Sequence, residues 1–252
     1  MNFHDVGVVI LAAGKGTRMK SDTAKVLHKI AHKSMIAHVV ERAWEISPDN
    51  VYVVVGHQAE KVKSEVDRFH QVKFAYQKQL LGTGDAVKSS VPCLDPRIQD
   101  VLILSGDVPL IQGKTLRELV KAHKNSHSGI TVLATEVDNP NGYGRIILDE
   151  QGKLICIRED SDANVDEKQI KRVNTGIYCF DKDLLVTALD EIYPENSQGE
   201  YYLTDVIEIA QKKNQKISVI ITEDSRQVIG VNTLEELDRA EYLMKSLVEE
   251  LP

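Results

Sequence analysis

Val6-Gly7-Val8-Val9-Ile10-Leu11-Ala12-Ala13-Gly14-Lys15-Gly16-Thr17-Arg18-Met19 is the stretch on which the fold turns. Val6 to Leu11 is a β-branched apolar run without polar alternation, the pattern of a strand covered on both faces. A loop with two glycines follows it directly. Glycine lets the backbone turn tightly and come close to an anion, so that exposed N–H groups can face phosphate oxygens. The loop is not Gly-x-Gly-x-x-Gly, because residue 19 is Met19, and it lacks the Gly-Lys-Ser/Thr ending of a Walker A loop. Nor does an acidic ribose reader end the second apolar run, where Gly56 and His57 follow Val55. A dinucleotide-dependent oxidoreductase is disfavoured on both counts.

Outward from this stretch the pattern repeats. Val51 to Val55, Val72 to Tyr76 and Val101 to Leu104 read as further strands. Between the first two strands, Met35, Ile36, Val39, Val40, Ala43 and Trp44 recur at helical steps, and after the fourth Leu116, Leu119, Val120 and His123 do likewise. Continuous apolar strands separated by helices predict an α/β fold, a Rossmann-like and mostly parallel sheet flanked by helices, with ligands beyond the strands' carboxyl ends. From Ile130 the texture changes. Ile130 to Val137, Gly144 to Asp149 and Lys153 to Glu159 read as strands, the last two as a hairpin, and predict a smaller antiparallel lobe. Val173 to Phe180 is another strand, Asp183 to Ile192 and Tyr201 to Lys213 read as helices, and Lys216 to Ile221 returns to strand. Gln227 to Val231 reads as a short strand. Thr233 to Leu251 carries Leu237, Ala240, Tyr242, Leu243, Leu247 and Leu251 in helical rhythm, opened by Thr233 and Glu236 at capping-box spacing. The organisation expected is one domain over 1–252, with a nucleotide-binding half at 1–128, a lobe and return to the sheet at 129–232, and a terminal helix at 233–252.

The totals agree. Hydrophobic residues are 42% and charged residues 27%, and no apolar run approaches the length of a membrane helix. The net charge of −7 argues against nucleic acid or anionic membrane as partner, so a polyanionic ligand must be held by local donors and metal. Cys93, Cys156 and Cys179 are odd in number and widely spaced, which suits a reduced cytoplasmic setting rather than a disulfide framework. The apolar core of the first strand is too short, and lacks the basic flank, for a signal peptide.

The stretch Leu11 to Met19, with Lys25 beyond it, resembles the signature of sugar-nucleotide pyrophosphorylases. Gln77 to Ala86, Ser105 to Ile111, Asn141 to Ile146, Ile157 to Asp160, Val173 to Tyr178, Gln198 to Asp205 and Ile229 to Thr233 follow in the order and at about the spacing of the uridylyltransferase domain of bacterial N-acetylglucosamine-1-phosphate uridylyltransferases. That resemblance implies attack of a sugar phosphate on the α-phosphorus of UTP, with N-acetylglucosamine 1-phosphate as the sugar phosphate. It places the triphosphate on Leu11, Ala12, Ala13, Gly14, Gly16 and Thr17, with Arg18 and Lys25 as catalytic cations. It gives Gln77, Gly82 and Thr83 to the base; an amide carries the donor and acceptor that a uracil edge requires. Gly144, Glu159, Asn174 and Tyr202 fall to the sugar, and Asp107 and Asn232 to the metal. Asp107 stands just past an apolar strand, and such a pair of hard oxygens suits Mg²⁺, which takes one or two protein ligands and completes its shell with waters and phosphates.

Departures from the pattern bear on the sugar. Ser105 stands where the family usually has tyrosine and Ser161 where it usually has lysine, while Ala24 and Ser34 replace prolines. No acetyltransferase domain follows, so no acetyl transfer is expected, and the state of assembly, a homo-oligomer included, is left open. Two other readings stand beside the first: a nucleotidyltransferase for another sugar or polyol phosphate, and a non-catalytic sugar-nucleotide sensor.

Overall fold

The computed structural model describes residues 3–249, with side chains as far as residue 246. The chain order is β1 (Val6–Ala12), β2 (Lys29–Ile30), β3 (Lys33–Ser34), α1 (Met35–Trp44), β4 (Val51–Val55), α2 (Ala59–Val66), β5 (Lys73–Tyr76), α3 (Thr83–Ser90), β6 (Asp100–Ser105) and α4 (Gly113–Ser126). There follow β7 (Ile130–Glu136), β8 (Arg145–Leu148), β9 (Leu154–Arg158), β10 (Arg172–Asp181), α5 (Lys182–Leu189), α6 (Asp205–Lys212), β11 (Ile217–Thr222) and α7 (Leu234–Glu249). None of these helices is long and apolar enough to cross a membrane.

The main sheet runs β11-β7-β10-β6-β1-β4-β5. β1 is parallel to β4 and β6, β4 to β5, and β7 to β11, whereas β10 runs against both of its neighbours. Because β10 is reversed, its beginning lies at the same edge as the ends of β1, β6 and β7. At that edge its pairing with β7 slips between Asn174 and Ile177, where Gly176 has φ 75° and the Thr175 hydroxyl donates to Leu133 O at 2.7 Å. Such a bulge re-aims side chains beside a site. The β8–β9 hairpin hangs from β10 through Val173 opposite Arg145.

Apolar burial covers both faces. Val8 and Ile10 of β1 pack with Val53, Leu104, Ile36, Val39 and Leu116 on one side; Val9 packs with Tyr52, Ile103, Val87, Leu185 and Ile207 on the other. A third cluster seats α7: Ala240, with Leu237 and Leu243, lies against Ile30, Met35, Leu110 and Val231. Tyr242, counted with that apolar face, is instead 71% exposed. Leu247 and Leu251 lie outside the described side chains.

Two expected elements differ in the structure. Tyr201 to Thr204 is not helical, and α6 begins only at Asp205: Tyr201 N donates to Leu81 O at 2.7 Å and Leu203 N to the Thr83 hydroxyl at 3.0 Å, which ties the segment alongside residues 81–83. Gln227 to Val231 is not a strand. The Asp224 carboxylate accepts from Arg226 N at 3.1 Å and winds Ser225–Val228 into a 3-10 turn, after which Val231 N donates to Asp107 O at 2.9 Å.

Ile103, fully buried at the centre of β6, supports this packing from both adjoining strands. Ile103→Ala is expected to lower the free energy of urea unfolding by about 2–5 kcal/mol. Val165→Ala, at a position 79% exposed, should change it by less than about 0.5 kcal/mol.

Candidate active site

The loop after β1 opens the carboxyl edge of the sheet. Its base is anchored where Gly106 N donates to Leu11 O and His57 N to Ala13 O, both at 2.9 Å. Gly16 has φ 64°, and a Cβ there would meet Lys25 Cβ at 2.4 Å, so only glycine lets Lys25 lie across the loop. Gly14 faces open space. That space belongs to a cleft of about 460 Å³ whose wall includes Leu11, Ala12, Ala13, Gly14, Gly16, Thr17, Lys25, Gln77, Gly82, Thr83 and Asp107. Residues read separately from the sequence thus meet on one surface.

At one end of the cleft two cations and two oxygens interlock. The Lys25 ammonium pairs with Asp107 Oδ2 and donates to Asn232 Oδ1 at 2.9 Å, while Arg18 Nη2 donates to the same amide oxygen at 2.9 Å. Arg18 and Asn232 stand beside the cleft and not on its wall. Both donors fix the Asn232 amide with its oxygen inward, and its backbone is held by Glu236, whose carboxylate accepts from Asn232 N at 2.7 Å and from Thr233 N at 3.0 Å. The capping box expected from Thr233 and Glu236 therefore also aims Asn232.

Gln77, Gly82 and Thr83 line another part of the cleft. Gln77 is buried, and its Nε2 donates to Gly82 O at 3.0 Å and to Asp85 Oδ2 at 2.8 Å. Both partners are acceptors, which sets the orientation of the amide and leaves Oε1 as its remaining hydrogen-bonding atom. Gly82 has φ 118°, and a Cβ would come within 2.6 Å of Tyr201 O, so the 81–84 turn closes against Tyr201 only with glycine at this place. Asp85 was not foreseen; its position inside the Gly82 to Ala86 motif was the available signal.

Gly144, Glu159, Asn174 and Tyr202 form a separate group, none of which lies on the cleft wall. A Cβ on Gly144 would stand 3.5 Å from both Asn174 Cβ and Glu159 Oε2, and Asn174 N donates to Gly144 O at 2.8 Å. The group borders the cleft through the β10 bulge, where the Ser105 hydroxyl, itself on the cleft wall, lies 3.2 Å from the Cβ position of Gly176. Glu159 accepts from the Thr204 hydroxyl at 3.0 Å, and burial raises its carboxyl above the ordinary value. The buried Tyr202 hydroxyl makes no hydrogen bond. Asn174 turns its amide nitrogen onto the Tyr178 hydroxyl at 2.6 Å. Thr204 was missed by the sequence reading because it was assigned to a helix interior.

A glycine loop at the sheet's carboxyl edge, backed by paired cations and paired oxygens, is the equipment of a protein that handles nucleoside phosphates, and the chain belongs to the nucleotidyl transferase family: the model of the family described as Nucleotidyl transferase matches residues 7–226. In particular it is similar to the bifunctional protein GlmU of Caldanaerobacter subterraneus subsp. tengcongensis, at 46% identity over 242 residues, which is 96% of this chain and 52% of that protein. It is 44% identical over 243 residues to the bifunctional protein GlmU of Lactobacillus johnsonii, again 96% of this chain and 52% of that protein. The chain spans about half the length of the curated relatives it matches. Among solved structures, UDP-glucose pyrophosphorylase complexed with UDP-glucose aligns with a TM-score of 0.74 at 18% identity, over 95% of this chain and 98% of that one, which shows the shared fold.

Asp205, at the start of α6, is pushed up to about 6, chiefly by burial and then by the charges of Glu208 and Asp162. Below the ordinary aspartate value both folded and unfolded chains hold the proton; between roughly pH 4 and 6 only the folded chain does, so this group's contribution to stability falls as pH rises through that window. Asp205→Asn removes the penalty. Allowing for solvent screening and for the lost attraction to the helix N-terminus, the variant is expected to be more stable by about 1 kcal/mol near neutral pH and no more stable near pH 4. Urea titrations at the two pH values check this.

Proposed function

We propose that the chain transfers a uridylyl group from UTP to N-acetylglucosamine 1-phosphate, giving UDP-N-acetylglucosamine and pyrophosphate, in the cytoplasm and with Mg²⁺ as cofactor. The observation that carries the reading is the convergence of Asp107 Oδ2 and Asn232 Oδ1 on one cation, the Lys25 ammonium, at the mouth of the glycine-loop cleft. Two side-chain oxygens thus already face one cation where a divalent ion would take its place. Among the described residues no group of three or more His, Cys, Asp or Glu side chains is placed to hold a metal. A two-ligand site of this kind suits Mg²⁺, whose remaining positions go to water and substrate phosphates. When bound, the ion supplies charge neutralisation on the phosphates.

The chemistry asks for little else. An oxygen of the sugar phosphate attacks the α-phosphorus, the bond from that phosphorus to the bridging oxygen breaks, and its electron pair leaves on pyrophosphate. Two like unit charges at about 4 Å repel by roughly 4 kcal/mol at an effective dielectric of 20, so the approach of two phosphates needs cations and fixed donors. The backbone amides of the 13–17 loop hold the triphosphate. Lys25 and Arg18 leave Asp107 and Asn232 and turn onto the phosphates as these arrive. Gln77 Oε1 accepts from the base N–H, and the Gly144, Glu159, Asn174 and Tyr202 group takes the sugar hydroxyls and acetamido group. Phosphate oxygen needs no general base. The similarity to the two GlmU proteins supports uridylyl transfer over a sensor role.

Purified protein with Mg²⁺, UTP and a panel of sugar 1-phosphates, followed by pyrophosphate release, tests the assignment; turnover with glucose 1-phosphate and none with the N-acetylglucosamine ester would overturn it. Asp107→Ala is expected to reduce turnover by at least about 100-fold. The interlocked resting state makes a second prediction. Because Lys25 competes with metal for Asp107, Lys25→Met should bind Mn²⁺ about 3- to 10-fold more tightly than the parent when no nucleotide is present, and UTP more weakly. Electron paramagnetic resonance of free Mn²⁺ reads the first, and calorimetry the second.

A further inference from the structure

Arg145 is among the largest fully buried side chains of the described residues. Its Nη2 donates to Asp160 Oδ1 at 2.9 Å and reaches Lys168 O at 3.5 Å, its Nη1 donates to Tyr143 O, and its Nε is buried without a partner. Asp160 is 36% exposed, so the pair sets a wholly buried cation against a half-open anion. An ion pair so incompletely satisfied is a poor way to stabilise a hairpin, since apolar side chains of similar size generally serve as well or better. Its position in the chain is more informative. Arg145 immediately follows Gly144 and Asp160 immediately follows Glu159, while Arg145 and Arg158 are register partners across the β8–β9 hairpin. One ion pair thus closes the hairpin one residue beyond each of the two groups that face each other in the sugar cluster.

We propose that Arg145 is a positioning residue for the acceptor sugar: through Asp160 it fixes the separation of Gly144 and Glu159 without itself touching either substrate. The inference rests on the reading of Gly144, Glu159, Asn174 and Tyr202 as the sugar group. Three contacts spread the constraint. Tyr143 O ties the preceding loop to the guanidinium, Lys168 O ties the 3-10 turn at Glu167–Gln169, and Asn174 N on Gly144 O carries the same geometry into β10. Glu159 is separately held by Thr204, so loss of Arg145 leaves its carboxylate hydrogen-bonded but displaced with respect to Gly144. A displacement of this size weakens the hold on the sugar and leaves the nucleotide cleft as it was.

The test is steady-state kinetics, with the sugar phosphate and UTP each varied, on Arg145→Met, Asp160→Asn, Glu159→Gln, the doubles Arg145→Met/Asp160→Leu and Arg145→Met/Glu159→Gln, and the parent. Arg145→Met is expected to raise KM for the sugar phosphate about 10-fold or more while KM for UTP changes less than about 2-fold. Arg145→Met/Asp160→Leu, with the charges replaced by apolar groups, should recover the parent's melting temperature and keep the raised sugar KM. Because Arg145 acts through Glu159, the loss in Arg145→Met/Glu159→Gln should be smaller than the product of the single losses. Recovery of both melting temperature and sugar KM in the apolar double, or multiplicative losses in the other, would make the pair merely structural and overturn the proposal. If Arg145→Met does not fold, Asp160→Asn and the apolar double decide the matter by the same readout. Glu159→Gln separates the two levels: no effect on the sugar KM rejects the sugar group itself, whereas an effect there with none from Arg145 and Asp160 variants rejects the brace alone.

Discussion

The site depends on the Lys25 ammonium held between a carboxylate and an amide oxygen at the open edge of the sheet. Each member comes from a different connection: Lys25 from the segment after β1, Asp107 from that after β6, Asn232 from that before α7. β1 and β6 lie side by side and parallel, which brings their carboxyl ends together, and Val231 N on Asp107 O closes the remaining gap at 2.9 Å. The pairing has two effects. It sets the Asp107 charge against the Lys25 charge, and it holds the Asp107 and Asn232 oxygens on one ammonium.

The 81–84 turn and the group of Gly144, Glu159, Asn174 and Tyr202 are linked by a second set of contacts. Gly84 N and Leu81 O bond the two sides of Tyr201 at 2.7 Å each, and Leu203 N reaches Thr83. The segment that carries Tyr202 and Thr204 towards Glu159 is therefore the same segment that closes the turn beneath Gln77. The turn at Gln77 and the group around Glu159 share a backbone, so their spacing is a property of the fold.

The sequence made some of this legible and hid the rest for identifiable reasons. β1 and its loop were readable because a doubly covered strand and a glycine turn are both local patterns, and Leu11, Ala12, Ala13, Gly14, Gly16 and Thr17, which only the family resemblance singles out, all reach the cleft. The start of α6 was not readable. Tyr201 to Thr204 has helical periodicity, but its hydrogen bonds go to residues about 120 positions earlier, which no local window contains. Gln227 to Val231 looks like a strand by its β-branched residues, yet the Asp224 side chain caps a 3-10 turn that takes in Gln227 and Val228. Tyr242 fits the apolar rhythm of α7 and faces solvent, since periodicity places a residue on a stripe without fixing the stripe's edge. Of the site, Glu236 was found as a cap and not as the residue that steadies Asn232, because its second bond depends on the course of the preceding turn.

Asn232 also gives the assembly a direction in time. During synthesis Arg18 and Lys25 are made before Asp107, and the amide oxygen that receives both cations follows well over a hundred residues later still. The seat of α7 on Ile30, Met35 and Leu110 is likewise completed late. A nascent chain can form β1, β4 and β6 and still lack the Asn232 oxygen, so the cluster of Arg18, Lys25, Asp107 and Asn232 closes only after residue 232 has been made.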